Sequence, residues 1–170
     1  MSNGWIDWQG PIESIFEKYQ INNVLEFGLG EGTKFFLDRA KTKSVEFMAQ
    51  DSHREWMQKC KEDFKDRKNW ELEAIETTDS FNDTVKKAVE RNLKGFDFAF
   101  VDCGIHCRTD ILNALFGHVP IIAAHDTSFG HEDYGWNNIK GEGYERMDFP
   151  EGQGTSVWVK KEILTNKIPV

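Results

Sequence analysis

This chain is poor in cysteine and in long apolar stretches. Its three cysteines, Cys60, Cys103 and Cys107, are too few for a disulfide framework, and an odd number cannot all pair. Such sparse cysteine usage is typical of a reducing compartment. No apolar run approaches the roughly 20 residues that a helix needs to cross a bilayer. The first ten residues lack the basic segment followed by an apolar one that marks a secretory signal. We therefore expect a cytoplasmic protein with no membrane partner.

Positive charge is also scarce. The 21 Lys and Arg residues against 29 Asp and Glu residues give a formal net charge of −8, and the basic residues do not cluster. Proteins that bind nucleic acids neutralise phosphates with Lys and Arg, so this balance argues against a nucleic-acid partner. A length of 170 residues with 39% hydrophobic residues suits one domain with one substantial core. We expect a single domain, 1–170, that acts on a small molecule.

The most informative feature that is present is a glycine turn near the N-terminus. A short apolar run reaches Glu26 and is followed by Gly28, Gly30 and Gly32, after which a helix begins near Thr33. Glycine permits a tight turn and close approach of a ligand, and the amides at the start of a helix attract negative groups. The spacing is G-x-G-x-G, whereas dinucleotide-binding folds use G-x-G-x-x-G. It disfavours a nicotinamide-dependent oxidoreductase and favours another nucleotide-like cofactor.

The rest of the chain alternates predicted strands with predicted helices and contains no repeat. The predicted strands are 23–27, 44–50, 70–77, 96–101, 119–124, 144–149 and 155–160, and the predicted helices are 11–19, 33–40, 53–64 and one from 79 or 80 to about 93. Strands joined by helices form right-handed crossovers. The pattern predicts an α/β fold: a doubly wound, mainly parallel seven-stranded sheet with helices on both faces and a C-terminal antiparallel hairpin.

The acid two residues before the first glycine, followed by G-x-G-x-G, resembles the first motif of class I S-adenosylmethionine-dependent methyltransferases. The order of elements from about residue 12 to 162 is similar to that family too, whose sheet has seven strands with the last one antiparallel. The resemblance implies a Rossmann-like methyltransferase fold with S-adenosylmethionine as cofactor. It also implies that the cofactor is bound by Glu26, Gly28, Gly30, Gly32 and Thr33.

Two further acids follow predicted strands, where doubly wound sheets bind ligands. Asp51 stands 23 residues after Gly28, near the offset at which a strand-end acid accepts ribose hydroxyls. Glu46 is the rival acid, earlier in the strand, and helix capping is the alternative role for Asp51. Asp79 follows the third strand, where the family often places a polar residue against the adenine amino group, although Asp79 is equally suited to cap a helix. Asp51 and Asp79 are predicted cofactor-binding residues, and so is Asp102, which follows the fourth predicted strand.

Asp102 and Asp126 follow the fourth and fifth predicted strands and are expected to open into one cleft. In the branch that resembles catechol and caffeoyl-CoA O-methyltransferases, acids at these two places hold a divalent cation and an Asn completes the set. Thr127 stands at the Asn position, and its hydroxyl oxygen can still serve a hard cation. The resemblance implies a site for Mg²⁺ or another divalent cation at Asp102 and Asp126. The alternative is that Asp102 contacts the cofactor loop and Asp126 caps the following turn.

A histidine between two of the cysteines is a candidate general base. The segment 103–107 has the spacing C-x-x-H-C but no matching second half, so it lacks the four ligands of a structural zinc site. His106 within it follows the fourth strand, and its ordinary pKa suits proton transfer. His125 is expected to point away from Asp126, because side chains alternate along an extended segment. His106 and Asp126 are the predicted catalytic residues.

The predicted activity is transfer of a methyl group from S-adenosylmethionine to an oxygen of a small molecule. Family members that methylate nucleic-acid amino groups usually carry an acid or Asn, two prolines and an aromatic after the fourth strand, whereas residues 102–105 read Asp-Cys-Gly-Ile. Two alternatives stay open: a non-catalytic S-adenosylmethionine-binding or partner-binding module, and a methyltransferase acting on another atom. The aromatic segment 127–143 with Trp5 and Trp8 is expected to cover the cleft or to form a homodimer interface.

Overall fold

The computed structural model describes residues 6–128 and 134–165. The strands are β1 (Asn23–Phe27), β2 (Lys41–Met48), β3 (Trp70–Glu76), β4 (Phe98–Val101), β5 (Ile121–His125), β6 (Tyr144–Phe149) and β7 (Thr155–Lys160). The helices are α1 (Gln9–Lys18), α2 (Glu31–Leu37), α3 (Asp51–Asp63), α4 (Asp83–Glu90), α5 (Arg108–Leu115) and α6 (Lys161–Thr165), with a 3-10 turn at Trp136–Asn138. Within these ranges, the helices are all too short or too polar to cross a membrane.

All seven strands form one sheet in the order β3-β2-β1-β4-β5-β7-β6. Strands β1 to β5 pair in parallel, and β7 is antiparallel to both β5 and β6. The predicted seven-stranded, mainly parallel sheet with a C-terminal hairpin is confirmed. Because the parallel crossovers place helices over both faces, the central strands β4 and β5 are buried along their whole length.

Each face of the sheet has its own apolar core. Alternate side chains of β4 divide between them: Ala99 and Val101 face one core, and Phe98 and Phe100 face the other. The second core is aromatic, with Phe36 of α2 within 5.4 Å of Phe100 between ring centroids. Burial of about 150–250 Å² for each such aromatic ring is a large apolar contribution to stability. This packing holds the carboxyl ends of β1, β4 and β5 beside one another.

Two predicted helix starts are wrong. The α3 helix begins at Asp51 rather than at residue 53. The α4 helix is capped by Asn82, whose side chain accepts a hydrogen bond from Val85 N at 3.1 Å, rather than by Asp79 or Ser80. Asp79 is unavailable as a cap because its carboxylate is hydrogen-bonded elsewhere, as described below. The α5 helix, between β4 and β5, was not among the predicted helices.

We expect Gly28→Ala to lower the free energy of unfolding by about 2 kcal/mol or more. Gly28 has φ +103°, and a Cβ atom there would lie 2.4 Å from the backbone oxygen of Asp102. Urea unfolding followed by circular dichroism measures the change. The control is Gly10→Ala in α1, where a Cβ meets nothing within 4 Å and alanine favours the helix by about 0.5–1 kcal/mol. Equal stability of the two variants would contradict the close approach at Gly28.

Candidate active site

The three glycines after β1 have different surroundings. Gly28 packs against the backbone of Asp102, and a Cβ at Gly32 would lie 2.9 Å from Glu26 Oε1. These two glycines are required by the protein's own packing. At Gly30 a Cβ would meet nothing within 4 Å, and its φ of 174° is extended backbone. Gly30 is therefore the position of the turn with open space beside it.

A cavity of about 460 Å³ lies over this turn, within the range of about 300–1,000 Å³ that is usual for ligand pockets. Trp56 of α3 forms one wall, 38% exposed, with its Nε1 donating to Leu29 O at 2.6 Å. Trp8 lines the cavity as well but is buried against Phe36 and Phe100, so its role as a cover stays a prediction, and Trp5 lies outside the described residues. The lining residues are Ile6, Trp8, Leu29, Gly30, Glu31, Gly32, Trp56 and Asp102.

Glu26 and Thr33 lie beneath the turn. Glu26 is buried and accepts hydrogen bonds from Thr33 Oγ1 at 2.8 Å and Ser44 Oγ at 2.7 Å. Thr33 Oγ1 also accepts from Gly30 N at 3.1 Å. Burial raises the pKa of Glu26 to about 8, so the carboxyl is largely protonated at neutral pH. The two side chains brace the turn, and their contact with a cofactor stays a prediction.

The two rival acids near β2 are placed differently. Glu46 accepts a hydrogen bond from Leu29 N at 2.7 Å, and burial raises the pKa of Glu46 to about 8 despite that bond. Asp51 lies in the first turn of α3, with its side chain 97% exposed and paired with Arg54 at 3.0 Å. Glu46 therefore contacts the glycine turn directly. The ribose-binding role of Asp51 stays a prediction.

Asp79 and His106 come together, although the sequence analysis assigned them separate roles. Asp79 Oδ1 accepts from His106 N at 2.6 Å, and Asp79 Oδ2 lies 2.5 Å from His106 Nδ1. Burial raises the pKa of Asp79, but the hydrogen bonds from His106 outweigh it and hold that pKa below its usual value. The His106 ring centroid is 5.6 Å from that of Tyr134. Asp79 is thus positioned to orient the imidazole, and its adenine-binding role stays a prediction.

Asp102 and Asp126 are brought together as predicted, with an arginine between them. Arg108 Nη1 donates to Asp102 Oδ1 at 3.0 Å and to Asp126 Oδ2 at 2.9 Å, and Arg108 Nε donates to Cys103 O at 2.7 Å. The Tyr134 ring lies 4.0 Å from the guanidinium carbon. Burial lowers the pKa of Arg108, but the neighbouring acids raise it by more, so the guanidinium stays charged.

The predicted orientation of His125 is wrong. Its Nδ1 lies 3.5 Å from both Asp102 Oδ1 and Asp126 Oδ1. Asp126 has φ +61°, so the chain leaves the extended conformation directly after β5 and the alternation of side chains ends there. On the other side of the ring, His125 Nε2 lies 2.6 Å from Asp7 Oδ1. Burial lowers the pKa of His125, but the carboxylates of Asp102, Asp126 and Asp7 outweigh it and the net shift is upward.

As these side chains lie, they do not fit a divalent cation. Asp102, His125 and Asp126 offer ligand atoms within 4.8 Å of one another, but Arg108 Nη1 already bridges the two carboxylates. The hydroxyl of Thr127, which stands at the third ligand position, accepts from Ser156 Oγ at 2.8 Å. The other Asp126 oxygen, Oδ1, is buried and has no hydrogen-bond partner within the described part of the chain.

Asp7, Arg108 and the contacts of His125 were not predicted from the sequence, because no motif or spacing marks any of them. Asp7 is 118 residues from His125 and also accepts from Gln153 N at 2.6 Å. In the aromatic segment, Trp136 Nε1 donates to Asp126 O at 2.8 Å. Residues 129–133 of that segment lie outside the described residues, so the predicted cover there is not tested.

Comparison with known proteins rests on structure, since no family model and no curated protein match this chain. The O-methyltransferase from Bacillus cereus in complex with SAH (S-adenosylhomocysteine) matches 91% of this chain and 81% of its own, with a TM-score of 0.62 at 13% identity. A candidate caffeoyl-CoA O-methyltransferase from Staphylococcus aureus matches 89% and 81%, at 0.60 and 13%. An SAH-bound methyltransferase from Podospora anserina matches 88% and 75%, at 0.55 and 14%. The chain has the methyltransferase fold.

The resemblance expected from the glycine turn is thereby confirmed at the level of the fold. Within the methyltransferase fold, the cavity lies at the carboxyl edge of β1 and β4, where doubly wound sheets bind their ligands. The identities of 11–15% to these solved structures show a shared fold. Fold alone does not specify the reaction, which depends on the residues of the site.

We expect Asp7→Ala to lower the free energy of unfolding by about 3 kcal/mol at pH 6, because it removes the carboxylate nearest to the buried His125. The folded-state pKa of His125 is raised, so this contribution is fully present below the unfolded pKa and is lost as pH rises through the folded pKa. The penalty should therefore be smaller at pH 9. Urea unfolding at both pH values measures it.

The control is Glu13→Ala, which removes an exposed partner of Arg39 and should cost less than about 1 kcal/mol. A penalty for Asp7→Ala that is equal at pH 6 and pH 9 would contradict the charged pair.

Proposed function

We propose that this protein transfers a methyl group from S-adenosylmethionine to an oxygen of a small molecule. The observation that carries the proposal is the cavity over the glycine turn, at the carboxyl edge of a methyltransferase fold. Two of the solved structures that share this fold are bound to SAH. The cavity volume of about 460 Å³ suits a nucleoside-sized ligand.

The residues that would hold the cofactor are those that line the cavity. Open space beside Gly30 lets a ligand approach the backbone, and the exposed ring of Trp56 provides a flat surface for a base. Asp102 places a carboxylate at the end of β4 on the same cavity. S-adenosylmethionine supplies a methyl group that is already activated by a sulfonium, so the protein needs to align the acceptor and take up its proton.

We assign the uptake of that proton to His106, which follows β4 and whose side chain is half exposed. A carboxylate on one imidazole nitrogen fixes the ring and its tautomer, and Asp79 is 2.5 Å from His106 Nδ1. With Nδ1–H donated to Asp79, His106 Nε2 is the nitrogen that accepts a proton. The carboxylate of Asp126, the other predicted catalytic residue, is already bonded to Arg108. We therefore assign the base to His106 and its positioning to Asp79.

A second candidate function is a non-catalytic S-adenosylmethionine-binding module. The observation that favours it is Arg108, which bridges the two acids at which the resemblance implies a metal. Binding of the cofactor without turnover on any acceptor would support this candidate over the enzyme.

We expect SAH to raise the melting temperature and NADH to leave it unchanged. At about 100 times its dissociation constant a ligand adds about 2.7 kcal/mol of apparent stability. Trp56→Ala should weaken SAH binding roughly tenfold, since stacking of a base on an aromatic ring contributes about 1–3 kcal/mol. Differential scanning fluorimetry measures the shift, and calorimetry the affinity.

The matched control is Lys61→Ala, an exposed residue on the same helix, which should bind SAH as the wild type does. Absence of any shift with SAH would overturn the proposed function. Equal loss in Trp56→Ala and Lys61→Ala would place the cofactor away from this cavity.

We expect His106→Gln to slow methyl transfer by roughly 10²–10⁴-fold, the usual contribution of a general base, with SAH affinity unchanged. Transfer is measured from isotope-labelled S-adenosylmethionine to a panel of hydroxylated small molecules. Asp79→Asn should also slow transfer and alter its pH profile, because it acts through His106. The control is His118→Gln, at an exposed histidine after α5. A wild-type rate in His106→Gln would exclude it as the base.

A further inference from the structure

The acid pair at the ends of β4 and β5 already has a cation within the protein. Arg108 Nη1 lies 3.0 Å from Asp102 and 2.9 Å from Asp126, so one nitrogen bridges both carboxylates. Hydrogen bonds between charged groups at this distance are among the stronger ones in proteins. The arginine therefore stands between the two acids at which the resemblance implies a metal ion, bonded to Asp102 Oδ1 and Asp126 Oδ2.

Arg108 is also held in place by groups other than the acids. It is the first residue of α5, its side chain is 6% exposed, and its Nε donates to Cys103 O at 2.7 Å. Its Nη1 also approaches His125 O at 3.4 Å, and the Tyr134 ring lies 4.0 Å from the guanidinium carbon. Backbone carbonyls and an aromatic ring therefore fix the guanidinium. Because the Arg108 side chain is buried, it cannot simply rotate into solvent to make room for a metal ion.

We propose that Arg108 substitutes for the divalent cation and makes this acid pair independent of metal. The guanidinium places one positive charge between the carboxylates of Asp102 and Asp126 and connects the ends of β4 and β5. A divalent ion beside it would be repelled by a buried positive charge in a region of low dielectric constant. One consequence rests on the proposed function: methyl transfer proceeds without a metal ion. The acceptor is then not selected by its ability to chelate such an ion.

Titration of metal-free protein with Mn²⁺, followed by calorimetry, tests the proposal. We expect the wild type to bind no Mn²⁺ through Asp126, so that Asp126→Asn leaves its titration unchanged. Arg108→Met keeps the length of the side chain without its charge and should bind Mn²⁺ about tenfold or more tightly than the wild type. The double variant Arg108→Met/Asp126→Asn should lose that gain. Because neither cofactor nor acceptor is present, the result does not depend on whether methyl transfer occurs.

The matched control is Arg54→Met, since Arg54 also bridges two carboxylates, those of Asp51 and Glu76, but at the surface. It should gain no Mn²⁺ binding, and a gain equal to that of Arg108→Met would overturn the proposal.

Mn²⁺ binding by the wild type that is lost in Asp126→Asn would overturn the proposal as well. The comparison of these two proteins remains informative even if Arg108→Met does not fold. Arg108→Lys retains the charge, so Mn²⁺ binding by that variant through Asp126 would also overturn the proposal.

Discussion

The buried charges at the ends of β4 and β5 connect parts of the chain that are distant in sequence. Arg108 of α5 bridges Asp102 and Asp126, and His125 faces the same two acids while contacting Asp7 near the N-terminus. Asp7 in turn accepts a hydrogen bond from Gln153 in the turn between β6 and β7. Removing one member of such a buried set of charges lowers the free energy of unfolding more than removing one member of a surface ion pair. The cavity depends on this set, because Asp102 is one of its walls.

The glycine turn has a second set of constraints beneath it. Glu26 and Glu46 are buried and have a raised pKa of about 8, so near neutral pH both carboxyls are largely uncharged. Glu26 accepts hydrogen bonds from Thr33 of α2 and Ser44 of β2, and Glu46 accepts one from Leu29 in the turn. A neutral carboxyl can be buried at lower cost than a carboxylate. The turn is thus held rigid from below, and the open side at Gly30 is left for a ligand.

Much of the fold was predictable because it depends on local pattern. The hairpin strands β6 and β7 were predicted with their observed bounds, since turn residues separate two strand-like runs. The glycine spacing and the apolar central strands led to the correct sheet. The N-cap of α4 was not predictable, because Asp79 is a good cap that is bonded instead to His106, 27 residues away. Local preference was overridden there by a contact between distant segments.

The amino-acid sequence by itself determined the strand pattern, the turn with its three glycines and the two acids that meet at the sheet edge, because each follows from neighbouring residues and from the parallel topology. Only the tertiary structure decided which partners those acids have. Arg108 reaches them because α5 starts beside the end of β4, and His125 faces them because Asp126 adopts a left-handed conformation. Such pairings depend on side-chain position to within about 1 Å, which neither residue type nor spacing encodes.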